Sequence, residues 1–162
     1  MPTINNVTRF LDARKVQYTA FDTPAEKLGA LETARFLGVD AQVVYKTIVV
    51  TRIRPGAKPV LAVIPGPNQV DLKLVAAALA EKKVSLPSER EAENLTGLQA
   101  GGISPLALIH KGFGVLIDTA AQGHTDIHVS GGQRGLNIRL PVNDLAVLTN
   151  ARFAAISVPK ED

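Results

Sequence analysis

Between Val43 and Val50 the chain reads VVYKTIVV, with apolar residues at both odd and even positions. This β-branched run is the strongest strand signal in the sequence. On a strand, Val44, Lys46, Ile48 and Val50 share one face, while Val43, Tyr45 and Val49 share the other. A strand that is apolar on both faces usually lies inside a sheet, where a lysine is uncommon. Lys46 therefore has two readings. It is a gatekeeper on an exposed edge, with its stem running out to water. Or its face opens into a cleft, where the ammonium binds an anionic or carbonyl group. The strand alone leaves both open.

The same patterning predicts the elements around this strand. Val7, Phe10 and Leu11 fall at helical spacing within a helix from about Ile4 to Arg14, with Thr3 as its cap. Val16, Tyr18 and Ala20 alternate as a short strand, ended by Asp22-Thr23-Pro24. A helix from Ala30 to Leu37 stops at Gly38. A basic hairpin, Arg52 to Lys58, leads into a strand from Pro59 to Ile64, and Pro65-Gly66-Pro67-Asn68 breaks the chain. Asp71 opens a helix through Leu72, Val75, Ala76 and Leu79, and a short strand follows at Lys83 to Leu86. Ser88 and Glu91 have capping-box spacing for a helix ending near Thr96-Gly97, in whose first turns Glu89, Glu91 and Glu93 read as a solvated face. Strands near Val115 to Ile117, Ile127 to Val129 and Leu136 to Leu140, a helix near Asn143 to Leu148 and a strand near Phe153 to Ile156 complete the pattern. Short hairpins and longer crossovers alternate irregularly. The expected fold is one α+β domain over residues 1–162, a mixed sheet or partly closed β-barrel surrounded by helices.

Composition narrows the function. Aromatic residues make up 4% of the chain and tryptophan is absent, so the core is aliphatic and a base-stacking platform for single strands is disfavoured. A net charge of +3 permits a local basic patch without being a nucleic-acid signature. The chain contains no cysteine, which removes disulfides and any protein thiolate. No apolar run approaches the ~18 residues of a membrane span, and the expectation is a cytoplasmic protein. His110, His124 and His128 have no metal-site spacing, and a surface position suits His124 and His128.

Nine of the thirteen glycines fall between Gly97 and Gly135, in two clusters that are candidates for chemistry. Gly101-Gly102-Ile103-Ser104-Pro105 can turn consecutive amides into one concavity, suited to a carboxylate, phosphate or developing oxyanion. A tight turn entering a strand is the plainer reading. Ser104 lacks the glycine spacing of a nucleophile elbow. Ser130-Gly131-Gly132-Gln133-Arg134-Gly135 contains a GXXG sequence, but alternating apolar residues on both sides favour a β-hairpin over a KH loop. No catalytic triad, Walker A or Rossmann pattern is present. An enzyme built on these residues works by positioning, one lysine and backbone amides.

Taken together, Val44-Tyr45-Lys46-Thr47, Asp71-Leu72-Lys73, Thr96-Gly97 with Gly101 to Pro105, Ile117-Asp118, and Val129 to Gly132 with Arg134-Gly135-Leu136 resemble, in order and spacing, the YbaK/EbsC family. That family is related to the editing domain of bacterial prolyl-tRNA synthetases, and the resemblance spans about residues 3–157. It implies a cofactor-free hydrolase that removes a wrong amino acid from tRNA in trans, with the Cys-tRNA(Pro) deacylase type nearest. The implied partners are aminoacyl-tRNA, with tRNA(Pro) first, and prolyl-tRNA synthetase, with no membrane or DNA partner. It implies a catalytic role for Lys46 and for the amides of Gly101 and Gly102. Substrate binding falls to Leu28, Thr47, Ile103, Ser104, Pro105, Ser130, Gly131, Gly132 and Asn137, and tRNA contact to Lys111 and Arg134. In the cysteine-specific type the substrate's own thiol is the implied nucleophile.

Three departures concern the side-chain pocket. Leu106 to Ile109 is apolar where the cysteine-specific type continues with a basic run. Leu28 replaces an aromatic residue before Gly29, and Asn137 replaces an aspartate. Alanine, serine and threonine are the alternative amino acids, and a non-catalytic module that binds tRNA or a synthetase is the alternative class.

Overall fold

Strand β3 (Val60–Pro65) is buried at every residue and forms the spine of the molecule. The computed structural model describes residues 3–160. β3 lies centrally in a five-stranded sheet. On one side it pairs antiparallel with β2 (Tyr45–Arg52), which in turn meets β5 (Val84–Ser85). On the other it pairs parallel with β6 (Gly114–Asp118), which pairs parallel with β9 (Arg152–Ala154). Alternate residues of β3 feed two cores. Leu61 and Val63 join Tyr45 and Val49 on one face, while Val60, Ala62 and Ile64 join Val50 on the other. Full burial of each such aliphatic side chain stabilises the fold by about 1.5–3 kcal/mol.

The first core is closed by a three-stranded antiparallel sheet in the order β1 (Thr19–Asp22), β8 (Leu136–Pro141), β7 (Asp126–Ser130). Ile127, Val129, Ile138 and Leu140 turn inward from it, and helices α1 (Asn6–Ala13) and α5 (Val142–Thr149) contribute Leu11 and Leu145. The second core is covered by α3 (Leu72–Leu79) through Val75 and Ala76. The other helices are α2 (Ala30–Leu37) and α4 (Glu89–Thr96). A single parallel bridge, Val44 to His128, links the two larger sheets. Among the described residues the strands form three sheets and not a closed barrel, so the mixed-sheet expectation holds.

Most local signals hold for local reasons. Gly38 and Gly97 end α2 and α4 in the left-handed conformation, Asp71 caps α3, and Ser88 with Glu91 forms the expected capping box. Other boundaries move. The cap of α1 is Asn5, whose side chain accepts from the Thr8 amide, and not Thr3. The first strand is Thr19–Asp22, because β8 fixes its register there. Val43 belongs to a short 3-10 turn (Ala41–Val43), so β2 begins two residues later than the pattern suggests. A strand that local pattern missed, β4 (Asn68–Val70), pairs with β10 (Ser157–Pro159). Of the expected strand at Phe153 to Ile156 only Phe153 and Ala154 are in a strand, β9, while Ala155 and Ile156 link it to β10.

Asp118, at the end of β6, holds this C-terminal region in place. The carboxylate is buried, accepts from the Ser157 hydroxyl at 2.6 Å and the Ile156 amide at 3.3 Å, and caps the following turn through the Ala120 amide. Asp118→Ala strands these donors and is expected to destabilise the protein by about 3 kcal/mol, measured by urea unfolding. An unchanged midpoint would show that these bonds carry no net stability.

Candidate functional site

The outer edge of β2 is the floor of a cleft of about 360 Å³. The Gly66 amide donates to the Val44 carbonyl at 2.8 Å, so residues 44, 46, 48 and 50 turn their backbone groups toward β3. Thr47 and Val49, of opposite parity, turn theirs away from β3. β5 covers that edge only at Thr51 and Arg52, which leaves Thr47 and Val49 facing the cleft without a strand partner. One wall is the start of α2 with Leu28, Gly29, Ala30 and Thr33. A second is the loop with Ala100, Gly101 and Ile103, and a third is the β7–β8 hairpin with Ser130, Leu136 and Asn137. Leu86, Pro87, Glu89 and Ala92 line the cleft from β5 and α4.

Lys46 lies in this cleft half-buried, and its Nζ donates to the Gly66 carbonyl at 3.0 Å. Burial first, and the neighbouring charge of Lys160 second, push its pKa below the usual lysine value. The side chain is therefore neither a freely solvated gatekeeper nor part of an ion pair among the described residues. Thr47 Oγ1 is buried with no hydrogen-bond partner, at the same floor. The Tyr45 hydroxyl is also buried without a partner, and burial together with the charge of Asp118 raises its pKa.

The two glycine clusters meet each other. A Cβ on Gly102 would lie 2.9 Å from Gln133 Cα, and Arg134 Nε donates to the Ala100 carbonyl at 2.7 Å. This close backbone approach and the Arg134 bond together hold the two loops at one cleft. Their amides are not equivalent. The Gly102 amide already donates to the Gln99 carbonyl at 2.8 Å, whereas those of Gly101 and Ile103, both in the cleft wall, make none of the described hydrogen bonds. The expected pair of free amides at Gly101 and Gly102 is thus corrected. The available donors are at Gly101 and Ile103.

Of the residues singled out from sequence, Lys46, Thr47, Leu28, Gly101, Ile103, Ser130 and Asn137 share the cleft. Others do not line it. Ser104 is fully buried, and its Oγ accepts from the Leu106 amide. Pro105 borders a separate hollow with Leu108 and Phe113. Gly131 packs against the Leu136 side chain, and Gly132 packs against Val7 and Ala107. Arg134 clamps the two loops through Nε, and Lys111 lies in a 3-10 turn where its carbonyl accepts from Lys58.

The sequence reading missed His128. It is 3% exposed, not at the surface, with Nδ1 2.8 Å from Asn137 Oδ1 and the Phe21 ring beside it. Burial lowers its pKa, the Asn137 bond opposes this, and Arg139 and Asp126 act in opposite directions. Its even-numbered position opposite inward-facing Ile127 and Val129 was the available signal, but strand parity does not reveal what covers the second face.

The family model for the aminoacyl-tRNA editing domain matches residues 25–148, which include every residue lining this cleft except Thr23. The chain belongs to the aminoacyl-tRNA editing family, the YbaK/EbsC deacylases. It is 35% identical, over 94% of its length and 92% of the relative's, to an Enterococcus faecalis protein named "Putative Cys-tRNA(Pro)/Cys-tRNA(Cys) deacylase EbsC". Two solved structures share the fold. One, described as a hypothetical protein, has a TM-score of 0.85 at 22% identity and covers 95% of this chain and 100% of its own. The other, described as a "putative trans-editing enzyme for prolyl tRNA synthetase", has a TM-score of 0.78 at 20% identity over 96% and 99%. In this family member, the sequence blocks around Lys46, Gly101 and Ser130 reach the cleft, whereas Asp71 caps α3 and Asp118 holds the C-terminal region.

Proposed function

We propose that this editing-family protein hydrolyses the aminoacyl ester of mischarged tRNA(Pro) in trans, with cysteine as the amino acid removed. The observation that carries the reading is the Lys46 ammonium, half-buried in a cleft whose wall offers the free amides of Gly101 and Ile103. Ester hydrolysis builds negative charge on the carbonyl oxygen, and fixed donors in a partly dry site stabilise that charge. The relative named as a Cys-tRNA(Pro)/Cys-tRNA(Cys) deacylase supports the choice of amino acid and tRNA.

The cleft supplies positioning and charge stabilisation, but its described side chains form no activated nucleophile. The chain has no cysteine, and the Ser130 hydroxyl accepts from the Gly132 amide with no histidine among its hydrogen-bond partners. A cysteinyl substrate brings its own nucleophile. Its thiol gives up its proton to solvent, the sulphur attacks the ester carbonyl carbon, the carbon–oxygen bond to the ribose breaks, and the ribose oxygen takes up a proton from solvent as it leaves. The strained cyclic thioester so formed is then opened by water.

Specificity is read from a panel of cysteinyl-, alanyl-, seryl- and threonyl-tRNA(Pro) incubated with the purified protein. Cysteinyl-tRNA(Pro) is expected to be cleared fastest. Faster clearance of alanyl-, seryl- or threonyl-tRNA would overturn the cysteine assignment. Salt-dependent binding that leaves every ester intact would make the protein a binding module instead.

A further inference from the structure

One face of the three-stranded sheet is largely polar, with Phe21 among its side chains, and is not used by the mechanism above. Ser130 and Asn137 are direct cross-strand partners, and Phe21 of β1 lies opposite Asn137 on its other side. His128, two residues before Ser130, shares their face by strand alternation. The other face of the same strands forms the first core.

The contact between His128 and Asn137 determines hydrogen-bond polarity. An amide oxygen can only accept, so Oδ1 at 2.8 Å from His128 Nδ1 requires that this ring nitrogen carry the hydrogen. With Oδ1 held in this way, Asn137 turns its NH2 elsewhere. Asn137 lines the cleft, and Nδ2 makes none of the described hydrogen bonds, yet it is not among the sealed polar atoms that lack a partner. The neighbouring Ser130 Oγ accepts from the Gly132 amide, which leaves its own hydrogen free to donate. Side by side, Asn137 and Ser130 line this wall with donors.

We infer that His128 is a positioning residue that fixes the Asn137 amide, making Asn137 a specificity residue that presents a donor to a hydrogen-bond acceptor on the substrate. The occupant's identity rests on the deacylase reading. In an aminoacyl-adenosine ester, the acceptors are the ester carbonyl, the ribose oxygens and a side-chain oxygen or sulphur, while the α-ammonium is a donor and is turned away from this wall. A carboxylate at the same position would present only acceptors and a negative charge. The amide therefore gives the wall opposite polarity with almost no change in shape.

Two measurements test this independently of turnover. Nitrogen-15 NMR of the full-length protein at neutral pH is expected to show neutral His128 with its hydrogen on Nδ1. A ring carrying its hydrogen on Nε2 would overturn the assignment, because Asn137 would then offer its NH2 to the histidine and its oxygen to the cleft. Calorimetry with a non-hydrolysable, amide-linked aminoacyl-adenosine provides the second measurement. Asn137→Asp and His128→Leu are each expected to weaken binding about tenfold, as for one lost hydrogen bond. His128→Asn, which keeps a donor near the Nδ1 position, is expected to stay within about threefold of wild type by the same scale. Wild-type affinity in a folded His128→Leu protein, or tighter binding by Asn137→Asp, would overturn the inference. If the wild-type protein binds the analogue yet leaves every aminoacyl-tRNA intact, the deacylase reading fails and the polarity of the wall still stands.

Discussion

Lys46→Ala is expected to slow deacylation about a hundredfold to a thousandfold while the protein remains folded. The ammonium is the one side-chain cation that β2 places in the cleft, and its only described bond is to the Gly66 carbonyl. Its removal therefore takes charge from the site without opening a core. Single-turnover clearance of cysteinyl-tRNA(Pro), measured beside a thermal melt, separates the two effects. Rates like those of the wild type would remove Lys46 from the mechanism. The pH dependence has a definite sign. Because burial lowers the pKa of Lys46 from 10.5, the unfolded chain binds the extra proton between the lowered value and 10.5. The buried charge thus opposes folding at neutral pH, and the penalty is relieved as pH rises through that window. The catalytic advantage of wild type over Lys46→Ala shrinks over the same window, because the ammonium is being lost.

Gly102→Ala is expected to destabilise the protein by about 1–3 kcal/mol and to abolish most activity, through overpacking between two backbones. The new methyl would sit 2.9–3.1 Å from Gln133 Cα, Gln133 C and the Arg134 nitrogen, and none of these is the end of a flexible side chain. To make room the loops must separate, which pulls Arg134 from the Ala100 carbonyl and moves Gly101 and Ile103 away from Ser130 and Asn137. Gly123→Ala is the control, since its added Cβ meets nothing within 4 Å and its backbone is not left-handed. It is expected to stay within about 0.5 kcal/mol of wild type, as surface substitutions generally do. Equal stability and activity for the two variants would show that the close approach of the loops is not needed.

The local signals of the sequence determined a good part of this protein. Gly38 and Gly97 end helices where the pattern predicts, because a left-handed cap needs no partner from elsewhere in the chain. Capping by Asp71 and by Ser88 with Glu91 is local for the same reason. Strand parity also placed Lys46 with Ile48 and Val50, opposite Tyr45 and Val49, which is how the two cores divide. Long-range pairing decided the rest. Asn68–Val70 is a strand because β10 lies beside it, and β2 has a free edge because β5 covers only its last two residues. Whether Lys46 guarded an edge or faced a cleft was undecided on the strand alone, since both readings put a lysine among apolar neighbours. The answer came from loops more than fifty residues away. Their glycines pack backbone against backbone and bring Gly101, Ile103, Ser130 and Asn137 around the β2 edge. The tertiary structure also joined His128 to Asn137, a pairing that depends on hairpin register and on which face the first core leaves uncovered. Residue type and period carry the first kind of information, but contacts between distant segments do not appear in either.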